Sequence, residues 1–238
     1  QQSQKNRPRG RDPMSRMLRI ASLHAPVHVL GPGQRLGLWV QGCARSCPGC
    51  IAPEMQPDTG GTLWPVPLLA REIVMHVDEL RLDGMTISGG EPLAQSAGLR
   101  ELVTLVRQTH PELDTLVYTG YSLLDMPATS GMAVFGEPRI FLRVTDWIDT
   151  LIDGEYQAGD VTDLALRGSR NQTIHRLTPL GHKRFPSNLD DMPQSGELES
   201  FMEPDGIFVA GIPVQTASIS STGKRKGVDH GRTTVSTL

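Results

Sequence analysis

Apolar positions in this chain change period from one block to the next, and the blocks predict its elements. Residues 36–40 are a continuous apolar run of strand length, which predicts a buried strand. Leu69, Ile73, Val77 and Leu80 fall on one stripe at helical spacing. They predict a helix over 67–82, opened by Pro67 and closed by Gly84. Residues 85–87 begin the next strand. Leu99, Leu102, Val103 and Val106 predict a second helix over 96–109, with Ser96 as its cap. Residues 114–118 and 149–154 read as further strands. Residues 18–30 read as a strand broken at Pro26, with His24 and His28 as structural residues, before a turn at 31–33. Strand and helix alternate in this order, which predicts βα units and a parallel sheet.

Periodicity fades after residue 120. Residues 123–136 look irregular, with a loop at 127–131, and 139–146 reads as a short helix. Residues 181–196 are polar and punctuated by Pro186 and Pro193. Alternation returns in 197–202 and 206–212 around Glu203, Pro204 and Asp205, predicting a β-hairpin. Residues 1–16 and 216–238 have the composition of disordered segments. Their basic clusters, Lys224 to Lys226 among them, read as solvated. The expected organisation is one domain over 17–178, an extension over 179–215 and two disordered ends.

Composition narrows the function classes. The chain has 238 residues, 38% of them hydrophobic and 21% charged, enough for a globular domain with its own core. A net charge of −3 gives no global basic field for nucleic acid, and 5% aromatic residues offer little stacking surface for bases. No apolar run reaches the ~18 residues of a membrane helix. The polar, basic start lacks the apolar core of a secretory signal. No nucleic-acid or membrane partner is expected, and the free cysteines suit the cytoplasm.

Candidate chemistry sits just past the first buried run. Cys43, Cys47 and Cys50 are the only cysteines, spaced C-x3-C-x2-C on a loop with Gly42 and Gly49. A [4Fe–4S] cluster ordinarily takes four thiolates, so three would leave one iron without a protein ligand. A zinc site completed by His76 or His110 is an alternative, although no second Cys or His hairpin accompanies the loop. A disulfide with a spare thiol is another.

The spacing resembles that of the radical S-adenosylmethionine (SAM) superfamily. A second motif, Ser88-Gly89-Gly90-Glu91-Pro92 after a predicted strand, is similar to the family's Gly-Gly-Glu-Pro segment. Val117 to Tyr121 resembles a strand end of the glycyl-radical activases, and Leu151 to Gly154 their Val-Asp-Gly strand. Leu166 to Gln172 is similar to the Arg-Gly-Ser-Ser-Asn-Gln segment of activating proteins for anaerobic ribonucleotide reductase. The resemblance spans roughly residues 18–177. It implies an α/β fold, an incomplete (β/α)6 radical SAM barrel, carrying here a small C-terminal β-hairpin extension. It implies a [4Fe–4S] cluster on Cys43, Cys47 and Cys50, with SAM on the open iron. Ser88, Gly89, Gly90 and Glu91 would flank the methionine amino group, Thr119 would hydrogen-bond the methionine portion, and Asp153 and Asn171 would lie near SAM or the partner.

The implied reaction is reductive cleavage of SAM to a 5′-deoxyadenosyl radical. That radical would generate a glycyl radical on a partner such as an anaerobic ribonucleotide reductase. A one-electron reductant such as flavodoxin or ferredoxin is also implied. Two departures bear on the substrate: Ile51-Ala52-Pro53 follows the third cysteine, and Glu155 follows Asp153-Gly154. A peptide, nucleotide or small-metabolite substrate stays open, as does an electron-transfer module that never cleaves SAM.

Overall fold

The computed structural model describes residues 17–125, 132–135, 140–144, 146–204 and 206–214. The ends expected to be disordered, 1–16 and 216–238, and the loop expected at 127–131 lie outside those residues.

The central strands form where the apolar runs predicted them. They are β1 (Met17–Val27), β2 (Arg35–Val40), β4 (Gly84–Gly89), β5 (Asp114–Tyr118) and β9 (Thr150–Asp153). β2, β4, β5 and β9 run parallel, and β2 is buried along its whole length, as a central parallel strand must be. β3 (Thr62–Pro65) and β10 (Thr173–Arg176) complete a seven-stranded sheet in the order β10-β9-β5-β4-β2-β1-β3. β1 is antiparallel to both its neighbours, and β10 is antiparallel to β9. β1 runs on through Pro26, with its register slipping between His24 and Val27.

Two helices, α1 (Val66–Leu80) and α2 (Ser96–Arg107), cover one face of the sheet. Their stripes, Leu69, Ile73 and Val77 with Leu99, Leu102 and Val106, pack on Leu36, Leu38, Met85, Ile87 and Val117. Each such side chain contributes about 1.5–3 kcal/mol when fully buried. Ser96 is the first residue of α2, not its cap; Gln95 precedes it with no side-chain cap. α1 ends earlier than predicted, at Arg81, whose left-handed φ of 56° lets its N–H reach Val77 O.

Three short strands, β6 (Leu123–Asp125), β7 (Met132–Phe135) and β8 (Ile140–Arg143), form a separate small sheet between β5 and β9. The helix expected at 139–146 is therefore replaced in part by β8. Ile140 and Phe141 favour extended backbone, and β7 supplies an antiparallel partner.

The opposite face of the sheet is covered by the C-terminal part of the chain. Leu166, Ile174 and Phe185, the last just past α3 (Pro179–Arg184), pack on Leu116 and Ile152. The predicted hairpin forms as β11 (Glu199–Glu203) and β12 (Gly206–Ala210), with Phe201 opposite Phe208. Phe208 and Ala210 pack with Trp39, Val27 and Met55. No helix among the described residues is long and apolar enough to cross a membrane.

Candidate radical site

All four parallel strands end at the same edge, at Val40, Gly89, Tyr118 and Asp153. Ligands in parallel α/β folds bind beyond the carboxyl ends of strands, and the candidate residues lie there. The cysteine loop leaves β2 and is fastened along its length. Gln41 N donates to Arg19 O, Gly42 N to Met55 O and Cys43 N to Gln56 O, each at 2.8–2.9 Å. The Gln41 amide donates to Glu54 O and Pro57 O, closing the loop on itself. The Gln95 amide donates to Gln41 O and Arg19 O, tying the loop to the turn after β4.

The three cysteines are free and half-buried. Burial first, then the Glu155 carboxylate, then the Cys43 and Cys50 thiols push the Cys47 thiol up, so the three sulfurs feel one another. Among the described residues, no three His, Cys, Asp or Glu side chains converge tightly enough to hold a single metal ion. His76 bonds Glu72 O within α1 and His110 pairs with Asp78, which places both histidines proposed for zinc among the helices.

The Gly89-Gly90-Glu91 turn is pressed against this loop. Gly90 N donates to Val40 O at 2.7 Å and Glu91 N to Gly42 O at 2.9 Å. Glu91 is 2% exposed. Its Oε1 accepts from Leu93 N and from the Thr119 hydroxyl, and its Oε2 accepts from Gly120 N, at 2.8–2.9 Å. Glu91 and Thr119, predicted separately, are thus direct partners that join the ends of β4 and β5. Ser88 and Gly89 line a cavity of about 620 Å³ together with Cys50, Tyr118 and Gln172. The Tyr118 hydroxyl, buried in that wall, has no hydrogen-bond partner among the described residues, and burial pushes its pKa up.

Asp153 and Asn171 are placed differently. Asp153 Oδ2 accepts from Leu123 N, and Oδ1 pairs with His175 Nε2 at 2.9 Å. Asn171 is exposed and donates to Glu155 O. Both brace the ends of β9 and β10. Two residues that the motifs did not flag lie closer to the cysteines. Arg45, between Cys43 and Cys47, pairs with Glu155 at 2.8 Å and lies 4.9 Å from the Tyr121 ring centre. The clue in the sequence was the carboxylate directly after Asp153-Gly154.

Burial pushes the Glu91 carboxyl up, against the opposing pull of Leu93, Thr119, Gly120 and Arg45. A carboxyl raised in the folded state stabilises most at low pH and loses that contribution as pH rises through its folded value. Parent protein is therefore expected to lose stability relative to Glu91→Gln as pH rises through that window. Denaturation midpoints measured across pH would report it. The hydrogen bond that Gln cannot accept shifts the whole curve; a parent that gains on the variant with rising pH would show that pairing outweighs burial.

Comparison with known proteins bears on this arrangement. Residues 29–175 match the family model described as a 4Fe-4S single cluster domain. The anaerobic ribonucleoside-triphosphate reductase-activating protein of Salmonella typhimurium is 32% identical over 160 residues, 64% of this chain and 95% of that one. Its Escherichia coli K12 counterpart is 31% identical over 159 residues, again 64% and 95%. The chain belongs to the family of anaerobic ribonucleoside-triphosphate reductase-activating proteins. The activase of bacteriophage T4 is 30% identical over 61% of this chain and 86% of its own. A likeness to the crystal structure of QueE from Escherichia coli, at TM-score 0.33 and 13% identity over 44% of this chain and 53% of that one, is too slight to bear on the argument. A [4Fe–4S] cluster is accordingly a cofactor of this activase.

Proposed function

We propose that this activase reductively cleaves SAM and removes a hydrogen atom from a glycine of a partner enzyme of the anaerobic ribonucleotide reductase class. When bound, the reduced cluster and SAM supply the electron transfer and C–S cleavage that yield methionine and a 5′-deoxyadenosyl radical. We read the four parallel strands as the core of the incomplete (β/α)6 barrel that the family resemblance implies.

In this reading Cys43, Cys47 and Cys50 hold three irons. The fit rests on the free thiols of one pinned loop and on the cavity that opens directly beside Cys50 and Gly89. Ser88, Gly89 and Gly90 bring backbone to the methionine end of SAM, and Glu91 offers an anion to its ammonium. Oε1 of Glu91 is held by two donors and Oε2 by one, so the carboxylate is oriented before ligand arrives. Thr119 then acts through Glu91, while Asp153, Asn171 and Glu155 brace the rim. Trp39, Met55 and Phe208, packed on one another, give the cavity an apolar floor. The cytoplasm, where thiols stay reduced, suits this chemistry, with a flavodoxin or ferredoxin as electron donor.

The juxtaposition of the Gly-Gly-Glu-Pro turn with the cysteine loop, through Glu91 N and Gly42 O, carries this reading. The test is anaerobic reconstitution with iron and sulfide, then incubation with reductant, SAM and the candidate reductase. The expected result is 5′-deoxyadenosine and a glycyl radical in the partner by electron paramagnetic resonance. A reconstituted, reduced protein that forms no 5′-deoxyadenosine overturns it.

A further inference from the structure

The family match ends at residue 175, yet one wall of the cavity beside Cys50 comes from residues 198–213. The hairpin is seated firmly. Phe208 stands edge-on to Trp39 at 4.6 Å, and His24 stacks on Phe201 at 4.4 Å. Glu203 bonds Ser22 and His24, and Glu199 takes both the backbone N–H and the ring of His28. These contacts use one face of the hairpin. Residues on a strand alternate between faces, and the other face carries Ile207 and Val209, 65% and 56% exposed.

Both residues line the cavity, as do Leu198 and Ile51 of the cysteine loop, which are also half or more exposed. Apolar surface gathered in one place and left open to solvent marks an interaction site. The described lining holds no Lys, Arg or His, and Glu54 is its only Asp or Glu. A phosphorylated nucleotide would find no cation there. The wall is continuous with Cys50 and Gly89, so whatever it binds is delivered to the radical.

We propose that Ile51, Leu198, Ile207 and Val209 form the docking wall for an uncharged, extended segment of the partner polypeptide, with the hairpin as this chain's own specificity element. The proposal rests on the glycyl-radical reading above and names the surface that selects the partner. A segment with small side chains passes between this wall and Gly89. Charged or phosphorylated substrates are rejected by desolvation without compensation.

The experiment places a charge on the wall. Val209→Asp is compared with Met75→Asp, a control at an equally exposed methionine on α1. Both positions are open to solvent, so neither substitution threatens the core. With reductant and SAM alone, Val209→Asp is expected to form 5′-deoxyadenosine at the parental rate and to keep the SAM-dependent change in the reduced cluster's spectrum. With the partner reductase, its glycyl-radical yield is expected to fall by at least about tenfold, the scale of an interface hot spot. Met75→Asp should match the parent in both assays. Undiminished glycyl-radical yield in Val209→Asp overturns the docking wall, and so does an equal loss in Met75→Asp. Loss of the cofactor signal in Val209→Asp would assign the wall to SAM and overturn it too. Failure of the parent to form 5′-deoxyadenosine would instead sink the proposed function itself.

Discussion

Gly90→Ala is expected to keep its fold and lose SAM cleavage by on the order of 10²-fold or more. A Cβ at this position would lie 2.3 Å from Gly42 O and 2.8 Å from Gly42 C. Both atoms are backbone, so no side-chain rotation relieves the clash. The turn after β4 and the cysteine loop must part, which breaks the Glu91 N to Gly42 O bond and moves Glu91 relative to Cys43. A displacement of about 1 Å at a reacting centre costs ~10²-fold in rate. Gly159→Ala is the matched control, because a Cβ there meets nothing within 4 Å. The assay is 5′-deoxyadenosine formed per cluster, with iron content and far-ultraviolet dichroism measured on the same samples. Turnover of Gly90→Ala within a few-fold of Gly159→Ala would mean that the two loops need not touch.

Local signals carried most of what the sequence revealed. The cysteine spacing, the Gly-Gly-Glu-Pro turn and the long apolar runs each depend on neighbours in the chain; the runs form strands, and the two motifs lie at the carboxyl ends of β2 and β4. What the sequence hid is long-range. Arg45 meets Glu155 across 110 positions; Glu155 stands out after Asp153-Gly154, but nothing in its own segment names its partner. β3, β6, β7, β8 and β10 are only three or four residues long, too short for a period to show. The hairpin was legible from its alternation, but the face that docks and the face left open were not. His24 and His28 read as structural, and their partners turn out to be Glu203 and Glu199 of that hairpin. Gly84 looked like a helix stop. Its real constraint is space: a Cβ would stand 2.5 Å from both Arg35 Nη1 and Asp114 Oδ1.

That buried pair is the basis of the largest stability effect expected in this chain. Arg35→Met should destabilise the fold by about 3–5 kcal/mol, the cost of stranding a buried charge. The side chains of Arg35 and Asp114 are both wholly inaccessible, and they meet at 2.6 and 3.2 Å. Every guanidinium donor is used: Nε on Thr86, Nη1 on Pro32 O and Asp114, Nη2 on Met85 O and Asp114. Burial still pushes the Asp114 carboxyl up, with Arg35 pulling it back, so the ion pair does not fully offset desolvation. Arg184, 3.7 Å away, is the remaining cation that the described residues bring to Asp114, and it stands too far to take over both oxygens. Adding Asp114→Leu to Arg35→Met should therefore restore much of the lost stability, leaving the cost of the hydrogen bonds withdrawn from the Pro32 and Met85 carbonyls. Arg35 and Asp114 open β2 and β5, whereas the cysteine loop follows the end of β2. The folded fraction of either variant should consequently cleave SAM within a few-fold of the parent. Denaturant unfolding of the three proteins decides the energetics: equal instability of the single and double variants would place the cost in the carbonyls and not in the stranded carboxylate.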